Sequence, residues 1–365
     1  MELKINHRIG NGIVDILYFN DFDIDLRFDS IASTFSFNAY FDPYNKSHAE
    51  IFCVSHYHEA TLLHEGEVLI TGYLLSQGFS YNPKKELTQL CGYSKPGFLE
   101  DCSIPPTIYP LETNGLTLSQ IAHKIATPFK LNVIIDDSVS FMMNKVIDKT
   151  SPEPTQTCKD YLSELCTQKH IIITHNELGD LIFTKAKTNL KPIAHFEEGI
   201  AGTTFKSSFN GQGIHSHITV MKQASSDGGN VGEYTITNPY CPVNQIYRPL
   251  VVTQSTGDDV TTEDFAKQQL ANELKNIKIV INTDRWKIDG KIIRPNNIIT
   301  IFSPEIFIYK KTELFIESVK FKGNSTELTA ELTCVLPSVY DGTTPVNIFV
   351  DTHLNLPNFT YPKQG

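Results

Sequence analysis

No stretch of the 365 residues approaches the run of about 18 apolar residues that a membrane-spanning helix needs. No Cys-x-x-Cys pair occurs. The seven cysteines (53, 91, 102, 158, 166, 241 and 334) are odd in number and widely spaced. That excludes a disulfide scaffold or a zinc ribbon and points to free thiols in a reducing compartment. The N-terminal Met1–Phe19 lacks a basic region, an apolar run and a small-residue cleavage site, so no secretory signal is expected. The Asn-x-Ser/Thr triplets at Asn45, Asn324 and Asn358 carry no weight without one. Basic residues are in deficit: 31 Lys and Arg against 41 Asp and Glu give a net charge of −10. This argues against a surface that grips nucleic acid, because non-specific affinity comes from basic groups displacing phosphate counterions. A surface past which nucleic acid slides remains compatible.

Catalytic motifs are missing too. His56-Tyr-His58 with His64 is the densest group of metal-ligating residues. Neither HExxH nor HxHxDH is completed there, so the segment reads as a solvated loop, and His215 and His217 read the same way. Asp21, Asp23 and Asp25 alternate along one strand face. An EF-hand would require Gly and Glu where Leu26 and Ala32 stand, so calcium is not expected. The stripe is either a solvated face or an acidic wall that repels a passing polyanion. Gly211-Gln-Gly213 lacks the third glycine of a dinucleotide fingerprint, and Gly92–Gly97 misses the nucleophile-elbow spacing by one residue. No cofactor and no metal are expected.

What is present is ordinary globular composition, 40% hydrophobic and 20% charged, in a chain long enough for two or three domains. The first hundred residues read as short strands (13–19, 22–28, 34–40, 50–54, 67–75, 86–91) between turn signals. Such spacing suggests an antiparallel barrel or sandwich. After the prolines at 105, 106 and 110 the period changes. Thr117-Leu-Ser-Gln120 is a capping box, followed by the apolar stripe Leu118, Ile121, Ala122 and Ile125. A strand at 131–135, a helix marked by Cys158, Tyr161, Leu162 and Leu165, and a hairpin around Asn176–Asp180 complete an α+β insertion. Strands resume after Pro192, interrupted by a helix over 262–276 whose stripe is Phe265, Ala266, Leu270 and Leu274. Leu328, Ala330, Leu332, Cys334 and Leu336 alternate with polar residues as a half-buried strand.

Two strand pairs resemble each other. Glu67–Tyr73 aligns without a gap on Glu313–Val319, and each pair continues through a basic loop and a Glu-Leu-Thr triplet to a cysteine, 91 or 334. Either all hairpins look alike, or a barrel is duplicated near the two ends of the chain.

With these motifs laid out in order, the chain resembles the baseplate hub proteins of Mu-like contractile phage tails, related to late control D proteins and the hub portion of type VI spike proteins. The residues that carry the resemblance are Val68–Tyr73, Leu87–Asp101, Leu116–Val133, Leu178–Lys185, Tyr247-Arg-Pro249, the helix at 262–276, Ile277–Trp286, Lys311–Val319 and the strand at 326–336. The Pro-rich extension after Leu336 and the His-rich loop at 56–64 depart from the family.

The resemblance implies a mainly β fold with α+β insertions and two tube-protein-like antiparallel β-barrels. The expected divisions are a first barrel at 1–102 and an inserted α+β domain at 103–190. A second barrel spans 191–222 with 277–340, a loop-and-helix insertion 223–276, and an extended arm 341–365. It further implies a homotrimer with pseudo-sixfold symmetry, a non-enzymatic symmetry adaptor joining the tail tube to the central spike. Baseplate wedge proteins and the tape-measure protein are the other expected partners. DNA would pass through an acidic channel without specific binding, and Asp21, Asp23 and Asp25 are the candidate channel-facing residues. The expected location is the virion tail baseplate, assembled in the host cytoplasm, with no stable membrane insertion. A tail-associated cell-wall hydrolase and a carbohydrate-binding β protein are the alternatives.

Overall fold

A computed structural model describes residues 2–6, 13–16, 19–79, 87–109, 111–147, 151–167, 169–222, 232–254, 261–324 and 326–349. Two compact units divide the chain. One holds Met1–Lys187, Asn282–Asn296 and Ile316–Thr333; the other holds Thr188–Ile281, Asn297–Phe315 and Cys334–Gly365.

The first unit begins with β1 (Glu2–Asn6), β2 (Ile13–Ile16), β3 (Phe19–Arg27), β4 (Thr34–Tyr40), α1 (Lys46–Ile51), β5 (Glu59–His64), β6 (Glu67–Gly78), β7 (Leu87–Ser94) and α2 (Phe98–Asp101). Alternation sets the faces. Phe22, Ile24 and Leu26 of β3 and Phe35, Phe37 and Ala39 of β4 are buried, while the residues between them are half-buried and mostly polar. β5 and β6 are joined by Glu65 and Gly66, both at positive φ (51° and 81°), a two-residue turn whose twist matches that of the strands. Residues 50–54 are not the expected strand. Asn45 accepts from the N–H groups of Ser47 and His48, and this cap starts α1 instead. The segment read as a solvated His loop is also different: it enters β5, and His58 is fully buried with Nε2 3.1 Å from the Glu50 carbonyl.

The insertion follows as α3 (Leu118–Ala126), β8 (Val133–Ile135), α4 (Asp137–Met143), α5 (Cys158–Thr167), β9 (Ile172–His175) and β10 (Leu181–Thr184). The capping box forms in both directions, with Gln120 N–H donating to Thr117 Oγ1 and Thr117 N–H to Gln120 Oε1. The stripe Leu118, Ile121, Ala122 and Ile125 is fully buried and packs in one core with Tyr161, Leu162 and Phe183. β10 lies between β8, which is parallel to it, and β9, which is antiparallel.

The chain then supplies β11 (His195–Glu197), β12 (Thr203–Ser208), β13 (His217–Lys222), β14 (Glu233–Thr237), β15 (Pro249–Gln254), α6 (Thr262–Leu274), β16 (Lys278–Thr283), β17 (Lys287–Ile288), β18 (Lys291–Ile292), β19 (Ile298–Ser303), β20 (Ile308–Asn324), β21 (Leu328–Val335) and α7 (Ser338–Asp341). In the second unit α6 packs on β13 and β14, burying Ala266, Leu270 and Leu274 with Ile218 and Val220; Phe265 of the expected stripe is only half-buried. Glu273 on α6 is buried and satisfied. It accepts from the backbone N–H of His215 (2.9 Å), from His215 Nδ1 (2.6 Å) and from Asn238 Nδ2 (2.9 Å). His215 is therefore a structural partner and not a solvated loop residue, and His217 packs edge-on against Tyr247. The start of the C-terminal arm is tied to its own unit: the Tyr240 hydroxyl donates to the Val346 carbonyl and accepts from the Ile348 N–H. Residues 350–365 of the expected arm lie outside the described residues.

Within the first unit the strands run in the order β21-β20-β3-β4-β7-β6-β5-β1-β2. The mainly β, antiparallel character read from the sequence is present, but no strand pairing among the described residues closes this path into a barrel. In the second unit β11 runs parallel to β19, and β19 pairs antiparallel with the first half of β20. Both members of the suspected repeat are strand pairs: β6 with β7, and β20 with β21. In β21, Ala330, Leu332 and Cys334 are buried as expected; Leu328, at the open end of the strand, is exposed.

β6 and β7 approach so closely that a Cβ on Gly72 would run into the Tyr93 carbonyl, and one on Gly92 into the Tyr73 carbonyl and the Phe35 ring. Gly72→Ala is expected to destabilise the protein by roughly 1–3 kcal/mol. The check is a lower Tm than wild type, with Gly78→Ala, which meets nothing, as the control.

Candidate functional site

The charged face of the first unit is built by register. β3 pairs antiparallel with β20, setting Lys320 opposite Asp25 and Lys322 opposite Asp23. On its other side β3 pairs with β4, setting Ser36 opposite Asp23 and Asn38 opposite Asp21. Phe22, Ile24 and Leu26, with Val319 and Phe321, fill the reverse face. The aspartates therefore all emerge on the polar side, each half-buried.

Most of these charges are engaged. Lys320 Nζ stands 3.0 Å from Asp23 Oδ2, Lys322 is 3.8 Å from Glu331, and Asn38 Nδ2 donates to Asp21. Arg27 donates twice to Asp29 at 3.1 Å. Burial raises the Asp25 carboxyl above the ordinary aspartate value, against the opposing pull of Arg27 and Lys320. Asp21, Asp23, Asp25 and Glu331 still outnumber Lys320 and Lys322, so the face keeps a negative balance. The aspartates were legible in the sequence; their lysine partners were not. The one available signal was that Lys320 and Lys322 repeat with the same period of two.

A cavity of about 320 Å³ lies where the hairpin β9–β10 meets the end of β3, lined by Arg27, Ser33, Asp136, His175, Lys187 and Arg294 among others. His175 Nε2 is 2.7 Å from Ser33 Oγ, and His175 Nδ1 is 2.8 Å from the Asn176 carbonyl. Ser33 Oγ also accepts from the Arg27 N–H, and the Ser33 N–H donates to Ser94 Oγ. This network pins the insertion to the sheet that carries the aspartates. His64 sits elsewhere in the unit, its ring tilted against that of the lone Trp286 with centroids 4.8 Å apart. Among the described residues, no group of three His, Cys, Asp or Glu gathers at metal-binding distance.

Residues 96–185 match the family model described as "Baseplate hub protein gp44-like, second domain". That range takes in α2 and the whole insertion. No curated protein matches the chain. Among solved structures, the 43 kDa tail protein of prophage MuSo2 from Shewanella oneidensis superposes with a TM-score of 0.75 at 19% identity, covering 93% of this chain and 99% of that one. The tail protein from Neisseria meningitidis MC58 gives 0.73 at 19% identity, covering 93% and 97%. The E. coli c3393 protein, a component of the type VI secretion system, gives 0.51 at 10% identity, covering 95% and 80%. The chain thus has the fold of phage tail proteins over nearly its whole length. The resemblance to Mu-like baseplate hubs read from the sequence is borne out.

Burial lowers the basicity of both His64 and His175 below that of a free imidazole. Unfolding restores their ordinary value near 6.5, so the unfolded chain takes up protons first as pH falls. Stability contributed by the two neutral rings is complete above that value and is lost on acidification. Tm is expected to fall as pH drops below about 6.5, with a shallower drop in His175→Gln. A pH-independent Tm would contradict this.

Proposed function

We propose that this protein is the structural hub of a contractile-tail baseplate or related injection device. The observation that carries the reading is the match over 93% of the chain to two tail proteins, one of them from a prophage, with a hub-family second domain at 96–185. In this reading three copies form a pseudo-sixfold ring between tail tube and central spike, in contact with baseplate wedge proteins and the tape-measure protein. The two tube-like modules are residues 1–102 and residues 191–222 with 277–340, and the α+β domain at 103–190 hangs from the first. The ring belongs to the virion baseplate, assembles in the host cytoplasm and catalyses nothing.

Physical features support it. Open sheet edges are an aggregation hazard unless another chain pairs with them, and pairing between copies removes the hazard. Tyr40, Tyr44, Phe79 and Leu87 are exposed around one end of the β4–β7–β6 strands, the kind of apolar patch that a partner covers. The negative balance at Asp21, Asp23 and Asp25 suits a wall past which DNA moves without adhering.

Native mass measurement, with tube and spike proteins supplied, tests the assembly; a trimer, imaged down its axis as six similar units, is expected. A strict monomer under all those conditions would overturn the reading. For the channel, the triple variant Asp21→Asn, Asp23→Asn, Asp25→Asn should retain double-stranded DNA at low salt and release it at high salt, while wild type retains none. Equal behaviour of the two proteins would remove these aspartates from the channel wall.

A further inference from the structure

We propose that Cys102 and Cys158 form a disulfide site, a dithiol that closes when the folded protein meets a low-molecular-weight disulfide such as oxidised glutathione. Both are free thiols in the structure. Ser103 and Thr157 make an isolated antiparallel bridge, and the Cys158 N–H donates to the Cys102 carbonyl at 2.9 Å. The two cysteines therefore face each other one position along that bridge. Residues hydrogen-bonded across an antiparallel pair lie with Cα atoms about 5.5 Å apart. A disulfide spans roughly 4.4–6.8 Å between Cα atoms.

The frame around the pair is held. Cys102 ends α2 in extended conformation and Cys158 opens α5, so each sulfur is carried by the end of a helix. Lys159 Nζ lies 2.9 Å from Glu100 Oε1, a second link between the same two elements. The Cys158 thiol donates to the Ser103 carbonyl at 3.4 Å, which holds it over the segment that carries Cys102. Among the described strand pairings, no other cysteine stands opposite a cysteine: Cys91, for example, faces Ser36 and Ser76.

Cys102 is half-buried and Cys158 is buried, so a reagent reaches Cys102 first. The Cys102 thiolate attacks one sulfur of the reagent disulfide; that S–S bond breaks and one thiolate leaves and is protonated. The Cys158 thiolate then attacks Cys102 Sγ in the mixed disulfide and displaces the second reagent thiolate. Two protein thiols become one S–S bond, and their two electrons and two protons leave as two reagent thiols. Burial pushes both protein thiols up, Cys158 to about 12, so little thiolate exists near neutral pH and closure is slow. If the hub reading holds, the pair stays a dithiol during cytoplasmic assembly and closes after release; the chemistry itself does not depend on that reading.

The test uses the purified full-length chain, incubated with oxidised glutathione for hours, quenched with acid and alkylated. The expected result is the loss of two of the seven thiols, with a peptide bearing Cys102 joined to one bearing Cys158. Tm should rise by several degrees, because the link constrains residues 103–157 in the unfolded chain, and dithiothreitol should reverse the rise. Cys102→Ser and Cys158→Ser should each abolish the linked peptide, while Cys166→Ser keeps it. An unchanged thiol count in wild type would overturn the proposal. So would glutathione left on Cys102 as a stable mixed disulfide, or a link between other cysteines.

Discussion

The first unit depends on one long-range pairing. β3 has β4 on one side, supplied by the next turn of the chain, and β20 on the other, supplied nearly 300 residues later. That second ladder runs from Arg27 opposite Ser318 to Asp21 opposite Asn324 and brings Val319 and Phe321 into the core. It also decides the electrostatics. A slip of one residue would carry Lys320 and Lys322 to the apolar face and Phe321 to the charged one. The ion pair of Lys320 with Asp23 is half-exposed and contributes little by itself. Register is fixed chiefly by the aromatic side, and the charged side follows from it.

This shows what was legible in the sequence. Local signals read correctly: the capping box at Thr117, the stripe of α3 and the turn at Gly179. Each rests on residues within a few positions of one another. Where the reading failed, a nearby competitor or a distant partner won. Asn45 capped a helix where β-rich residues suggested a strand. His58 turned inward to the Glu50 carbonyl, and His215 found Glu273 on a helix 58 residues away. The three aspartates could be listed from the sequence, but the two lysines opposite them could not be placed without the register.

The histidines also separate fold from chemistry. His175 contacts a serine in a cavity, yet Ser33 has its Oγ committed to Arg27 and its N–H to Ser94. The arrangement is a joint holding the insertion to the sheet. Its histidine lies in the domain that matches the hub family model, and its serines lie at the sheet where the acidic face begins. The same economy applies to Glu273, whose carboxylate gathers three donors from two other segments.

The first unit draws on three separate stretches of chain, the last ending at Thr333. On a ribosome adding roughly 5–20 residues per second, β3 emerges some 15–60 seconds before β20 exists. For that interval Phe22, Ile24 and Leu26 form the border of an unfinished sheet, able to pair with the same strand of a neighbouring nascent chain. The acidic alternation of Asp21, Asp23 and Asp25 bears on that interval. Two copies of β3 laid side by side would bring like charges together, and the border waits for the lysine-bearing strand of its own chain.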